Sequence, residues 1–289
     1  MSVSAKLGPV SQCTLVATDG EAAVHAYTTW LYQAIAEAGE LDLDSAAAIG
    51  SPELAGCRYW LLCNTNGRRW LQVVECTAAQ PRDSLHSFGW MALEVLVDDV
   101  DQLAARLLAP ACPFELLRPA ADLELSDRIR ACQVRGPTGE VLYLTQVRGE
   151  VPPFELPICA APVDHLFIPV LSTASRERSL AQYSDIAGVA GICFDTRITV
   201  LNQARGYDLD RRHPVATLQL NGSCLLEIDE LANTAELAAG IYTGIACVAF
   251  DCGATADRGA TPLAAGPFAG RRVSSHRGCA GERFALLYD

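Results

Sequence analysis

The chain has 289 residues, of which 50% are hydrophobic and 19% are charged, and this composition excludes wholesale disorder. Its 34 acidic residues outnumber its 22 basic ones, and the net charge of −12 disfavours binding to nucleic acid or to an anionic membrane surface. The sequence contains no apolar run of about 18 residues, so we expect no membrane span. The beginning of the chain lacks the apolar core of a secretory signal. We therefore expect a cytoplasmic protein with reduced cysteines.

In the first half of the chain, each quarter predicts one helix and several strands. The first quarter predicts strands over 13–18, 59–64 and 70–76 and an alanine-rich helix over 21–38. The second quarter predicts a strand over 90–97, a helix over 100–108, and a strand pair over 129–135 and 140–147. The acidic run at 98–101 is typical of a helix N-cap. The turn at 136–139 contains two glycines that favour a hairpin.

The same pattern returns in the second half. The third quarter predicts a strand over 163–170, a helix over 175–184, and strands over 189–195, 196–202 and 215–229, the last folded at Asn221-Gly222. The fourth quarter predicts a strand over 245–251, a helix over 253–266, and a closing hairpin over 271–276 and 282–288. A proline-rich connector at 148–163 separates the halves. Four modules follow, at about 10–78, 87–148, 162–232 and 241–289.

Three segments carry a resemblance to a known superfamily. They are the strand and helix start at 91–101, the turn and strand at 136–144, and the strand at 163–170. Together with the fourfold repetition, they resemble the vicinal oxygen chelate superfamily, which includes glyoxalase I, extradiol dioxygenases and bleomycin-resistance proteins. The resemblance implies an α+β fold in which four βαβββ modules pair into two open eight-stranded barrels. We assign residues 1–150 to the first barrel and 151–289 to the second.

In that superfamily, residues on the first and last strands of each module bind a divalent metal inside the barrel. The corresponding positions here are Cys13 (or Gln12) and Gln72, Ala92 and Tyr143, His165 and Glu227, and Cys247 and Ala285. Because alanine cannot bind a metal, the resemblance places the site in the second barrel. Its implied ligands are His165, Glu227, Cys247 and, in place of Ala285, His276. Such a mixed set suits Fe, Mn, Ni or Zn.

The resemblance also implies a function. We expect a metal-assisted lyase, isomerase or oxygenase that acts on a small oxygen-rich metabolite, with Glu227 and Cys247 as catalytic residues. The implied substrate cavity contains Phe167, Trp90, Tyr143 and Arg212. The alternatives are a metal-free binding protein, which would trap its ligand by burial alone, and a pseudoenzyme of the same fold. We expect a small-molecule substrate and no nucleic-acid or membrane partner, and the pattern is compatible with a homodimer.

Overall fold

The computed structural model describes residues 5–124, 126–252 and 259–289, and the first two modules are arranged as follows. Module 1 contains β1 (Val10–Ala17), α1 (Gly20–Trp30), β2 (Ala34–Glu40), α2 (Leu43–Ala48), a 3-10 turn (Pro52–Leu54), β3 (Arg58–Cys63) and β4 (Arg69–Glu75). Module 2 contains β5 (Gly89–Val97), α3 (Val100–Leu107), β6 (Glu115–Leu123), β7 (Ser126–Arg135) and β8 (Val141–Val147).

The last two modules follow the same plan. Module 3 contains β9 (Val163–Thr173), α4 (Arg176–Ala187), β10 (Ile192–Arg197), α5 (Thr199–Ala204), β11 (Arg212–Leu220) and β12 (Cys224–Glu230). Module 4 contains β13 (Gly244–Asp251), β14 (Thr261–Pro262), β15 (Arg272–Arg277) and β16 (Arg283–Tyr288). Part of the helix predicted over 253–266 lies outside the described residues, and residues 259–266 are not helical. None of the described helices is long and apolar enough to cross a membrane.

The strands form two eight-stranded sheets, as predicted. One sheet has the order β14-β15-β16-β13-β1-β4-β3-β2, and the other has the order β10-β11-β12-β9-β5-β8-β7-β6. We call them the 1–4 half-barrel and the 2–3 half-barrel, after the modules that each contains. In both, the first strands of the two modules pair antiparallel at the centre: β1 with β13, and β5 with β9.

This module pairing corrects the predicted one, which joined neighbouring modules within 1–150 and within 151–289. Modules 2 and 3 share a sheet although the connector at 148–163 lies between them. The connector runs from β8 to β9, and only β5 separates these two strands. It therefore crosses about 10 Å, two strand spacings, which 15 residues span easily. Modules 1 and 4 are left to pair with each other.

Two local predictions are also corrected. The alanine-rich helix predicted over 21–38 ends at Trp30, because Tyr32 adopts a left-handed conformation (φ 55°) and β2 pairs with β3. The strand predicted over 196–202 is interrupted by α5, which packs Val200 and Leu201 over the concave face of the 2–3 half-barrel. In both segments, tertiary contacts override the local preference.

A single core joins the half-barrels. It contains apolar side chains from the convex faces of both sheets and from α1, α3 and α4. Two separate apolar clusters lie on the concave faces, one in each half-barrel. The two concave faces are therefore separated by the shared core.

A repeated turn ties the half-barrels together. Residues 135–140 and 277–282 both read Arg-Gly-x-x-Gly-Glu, and each glutamate carboxylate folds back into its own turn. Glu140 accepts a hydrogen bond of 2.6 Å from Tyr27 of α1, and Glu282 accepts one of 3.0 Å from Tyr183 of α4. Each of these bonds joins a helix of one half-barrel to a turn of the other.

Candidate functional site: a carboxyl cluster in the 2–3 half-barrel

Three carboxyl side chains share the concave face of the 2–3 half-barrel. Glu94 lies on β5, directly beside Tyr143 on β8. Glu227 and Asp229 lie two residues apart on β12, so their side chains point to the same side of the sheet. Glu94 and Asp229 are buried, whereas Glu227 is partly exposed. Glu227 is therefore the most exposed carboxyl of this cluster.

The carboxyls strongly perturb one another. Burial, together with the charge of Glu227, raises the pKa of Glu94 to about 8. Burial raises the pKa of Glu227 to about 7. The pKa of Asp229 is raised well above its usual range by burial and then by the charges of its two neighbours. The cluster therefore retains protons at neutral pH, because three neighbouring carboxylates, two of them buried, cannot all be charged.

Hydrogen bonds satisfy only part of this cluster. Thr145 donates to Glu94 over 3.0 Å. Among the residues that the structure describes, neither oxygen of Asp229 receives a donor from another group, and the buried hydroxyl of Tyr143 has no partner. Asp229 and Glu227 lie in side-chain contact, which requires a proton on one of the two carboxyls. Buried polar atoms without partners are rare in folded proteins, and these atoms all belong to one face.

The equivalent face of the 1–4 half-barrel is neutral. Gln12 and Thr14 both donate to the side-chain oxygen of Gln72, each over 3.0 Å. Cys247 and Ala285 lie in the apolar cluster of the same face. Burial raises the pKa of the Cys247 thiol to about 12, so this thiol stays protonated at neutral pH. Cys13, by contrast, lies in the shared core.

The four predicted metal ligands do not form one site. His165 and Glu227 belong to the 2–3 half-barrel, while Cys247 and His276 belong to the 1–4 half-barrel. On β9, His165 is five residues from Val170, the residue beside Glu227, which is about 16 Å along an extended strand. Within the residues that the structure describes, no group of three or more His, Cys, Asp or Glu is arranged to hold a metal ion. The predicted donor set therefore does not fit a metal.

His165 has a structural environment instead. Its Nδ1 lies 2.8 Å from the carboxylate of Asp164, and burial lowers the pKa of the ring. Asp164 also accepts hydrogen bonds from the side chain of Asn64, over 2.6 Å, and from the backbone of Ala160. Because Asn64 follows β3, this network links the two half-barrels.

The predicted cavity residues are dispersed. Tyr143 faces the carboxyl cluster, whereas Phe167 is buried in the shared core. Trp90 packs against Tyr183 and Phe250 and donates its indole N–H to the carbonyl of Arg283. Arg212 lies at the rim of the 2–3 half-barrel, where it and Arg197 form ion pairs with Glu124, next to the end of β6. These ion pairs connect the two edges of the sheet.

Sequence reasoning identified Glu227 and Tyr143 but missed Glu94 and Asp229. A signal for Glu94 exists, because it is the only charged residue in the otherwise apolar strand β5, and buried charged residues are rare without a purpose. The signal for Asp229 is its spacing of two from Glu227 on a strand.

Solved structures with the same architecture cover nearly the whole chain. Glyoxalase I from maize (Zea mays) aligns with a TM-score of 0.62 and 13% identity, over 96% of this chain and 92% of that one. A Bacillus subtilis protein suggested to be a dioxygenase aligns with a TM-score of 0.62 and 12% identity, over 100% of this chain and 86% of that one. The chain has the vicinal oxygen chelate fold. No family model and no curated protein matches the sequence.

Proposed function

We propose that this protein is an isomerase or lyase that transfers a proton on a small oxygen-rich metabolite, with Glu227 as the acid/base. The observation that carries the proposal is the position of Glu227, partly exposed beside two buried carboxyls and with a pKa raised to about 7. A general acid or base works best when its pKa lies near the working pH. Raised carboxyl pKa values in a concave site favour a functional role over a structural one.

The residues of the cluster have distinct tasks in this proposal. The carboxylate form of Glu227 removes a proton from the carbon next to a substrate carbonyl. The hydroxyl of Tyr143, which has no partner within the described part of the chain, donates to the carbonyl oxygen as negative charge develops there. Return of the proton to a neighbouring carbon completes an isomerisation, whereas loss of a leaving group completes an elimination. Glu94 and Asp229 hold protons, and the contact with Asp229 lowers the pKa of Glu227 against the effect of burial, which raises it to about 7.

Solvent deuterium exchange tests this proposal without knowledge of the product. The protein is incubated in D2O with dihydroxyacetone, pyruvate and acetyl-coenzyme A, and proton NMR records the loss of signal at the carbon next to the carbonyl. We expect exchange with at least one probe and a loss of about 100-fold or more in the Glu227→Gln variant. The matched control is Glu236→Gln, because Glu236 is exposed and lies in a loop away from the cluster.

Two further arms separate the rival functions. The same assay with added Fe, Mn, Ni or Zn tests the metal-assisted reaction implied by the resemblance, because exchange that depends on a metal would replace the metal-free mechanism. Binding of a probe without exchange would contradict the enzyme and support the metal-free binding protein.

A further inference from the structure

A cavity lies away from the carboxyl cluster, at the rim of the 1–4 half-barrel. It has a volume of about 250 Å³ and lies between the segment that joins modules 1 and 2 and the segment that leads into module 4. Its lining includes Arg82, Arg277 and Arg283, with the apolar side chains of Phe88, Trp90, Leu54 and Ile245. The proposed proton transfer uses none of these residues.

Arg82 carries a largely buried charge without a carboxylate partner. Its Nε donates to Ser87, and its Nη atoms donate to the backbone carbonyls of Ile245, Phe88 and Trp90 over 2.9–3.2 Å. None of the ion pairs among the described residues includes Arg82. Burial lowers the pKa of the guanidinium to about 10, so it remains charged at neutral pH. These contacts use four of the five N–H donors of the guanidinium.

The other charges of the cavity leave an excess of positive charge. Arg283 is paired with Glu53 over 3.4 Å. The second acidic residue of the lining, Glu282, is bonded to Tyr183, and burial raises its pKa. Arg277 makes no ion pair among the described residues, although its charge lowers the pKa of the neighbouring Glu282. A positive cavity in a chain of net charge −12 is a local exception that favours an anionic ligand.

We propose that this cavity binds a small carboxylate with a flat apolar body. The guanidinium of Arg82 has one N–H left, and that of Arg277 is unpaired within the described residues, so together they suit a carboxylate, which accepts such donors in a fork. The ring of Phe88, which is partly exposed, supplies the apolar wall together with Leu54 and Ile245. Trp90 lies behind this wall, because its ring packs against Tyr183 and Phe250. The volume suits a single small ring rather than a nucleotide.

Calorimetry with benzoate tests the site, with benzamide as the neutral analogue and inorganic phosphate as the rival anion. We expect benzoate to bind, benzamide to bind at least about tenfold more weakly, and Arg277→Gln to weaken benzoate by about tenfold or more. Arg277→Lys should recover part of the affinity. The matched control is Arg128→Gln, because Arg128 is exposed on β7, away from the cavity. This variant should bind benzoate as tightly as the wild type does.

Three results would overturn the proposal. They are no heat of binding with benzoate, equal binding of benzoate and benzamide, and binding of phosphate in preference to benzoate. An unchanged affinity of the Arg277→Gln variant for benzoate would also overturn the proposal, unless the Arg82→Gln variant does not bind benzoate at all. Circular dichroism checks that the Arg82→Gln variant is folded. The result of the benzoate titration is independent of Glu227, because the deuterium-exchange assay reports on the other half-barrel.

Discussion

The two half-barrels have the same strand order but differ in the chemistry of their concave faces. In the 1–4 half-barrel, Gln12 and Thr14 both bond to the side-chain oxygen of Gln72, whose amide nitrogen has no partner among the described residues. In the 2–3 half-barrel, the concave face carries three carboxyls and a tyrosine hydroxyl, of which Asp229 and Tyr143 retain unpartnered oxygens within the described residues. Amides and hydroxyls stay neutral whether or not they are paired, whereas clustered carboxyls must retain protons.

The comparison teaches that the fold alone does not decide where proton chemistry occurs. Gln72 on β4 lies beside the first strand of its module, as Glu227 on β12 lies beside β9. The pKa of Glu227 is raised to about 7, whereas the amide of Gln72, its counterpart, cannot titrate. The chemical character of each concave face therefore depends on a few residues at equivalent strand positions.

The largest expected effect is on activity. Glu227→Gln should lower the rate of deuterium exchange by about 10²–10⁴-fold, because it removes the acid/base but keeps the shape of the side chain. Gln72→Leu, at the counterpart position of the other half-barrel, should leave the rate within about twofold. Exchange rates measured by NMR for both variants check this, and similar losses in the two would contradict the assignment of the reaction to one half-barrel.

The next effect is on the pH dependence of stability. The folded cluster has raised pKa values, so the folded protein binds more protons than the unfolded chain between pH 4.5 and about 8. This stabilisation is fully present below the pKa of the unfolded carboxyls and is lost as pH rises through about 8. The free energy of unfolding should therefore fall by up to about 1.4 kcal/mol per pH unit for each extra proton bound.

Urea denaturation from pH 5 to pH 9 measures this slope. Glu94→Gln should reduce the slope, and at pH 8.5 it should exceed the wild type in stability by about 1–3 kcal/mol. Conversely, Gln72→Glu, in a chain that keeps the wild-type carboxyl cluster, should add a similar fall in the free energy of unfolding as pH rises. A slope that Glu94→Gln leaves unchanged would show that the cluster is ionised in the folded protein.

A smaller effect concerns the repeated turns that join the half-barrels. Tyr27→Phe should cost about 1–3 kcal/mol of stability, because it removes a donor from the buried carboxyl of Glu140. Tyr183→Phe should cost less, since its bond to Glu282 is longer, at 3.0 Å against 2.6 Å. Midpoints of urea denaturation rank the two variants, and the reverse order would contradict the role assigned to the shorter bond.

The smallest effect is expected at the rim of the 2–3 half-barrel. Arg212→Gln removes one ion pair with Glu124, but half of the Arg212 side chain is exposed and Arg197 remains paired with the same carboxylate. The cost in stability should be below about 1 kcal/mol, as for other surface ion pairs. A thermal-unfolding midpoint several degrees below that of the wild type would instead show that this ion pair holds the two edges together.

Much of the fold could be predicted from the sequence because its signals are local. The apolar strands at 90–97 and 163–170, the acidic start of α3 and the turn at Asn221-Gly222 all lie where the pattern predicts. The pairing of modules could not be predicted from the sequence, because hydrogen bonds between β1 and β13 join residues more than 220 positions apart. The end of α1 was missed for a related reason, since pairing with β3 draws 34–40 into a sheet.

The candidate site was predictable only in part. Glu227 and Tyr143 occupy positions that the resemblance marks, so the sequence identifies them. His165 is of the right residue type, but its place at the start of β9 joins it to Asp164 and Asn64 rather than to Glu227. The charge interaction of Glu94 with Glu227 on β12 depends on the sheet order β12-β9-β5-β8, which no local pattern contains.

The most direct test of the central claim is a site-resolved titration of Glu227. Glutamate labelled with carbon-13 at the side-chain carboxyl is incorporated, and the Glu227→Gln variant identifies the Glu227 resonance by its absence. We predict a titration midpoint near pH 7 for that resonance. A midpoint near the ordinary glutamate value of 4.5 would mean that Glu227 is an ordinary ionised carboxylate, and the proposed acid/base role would be contradicted.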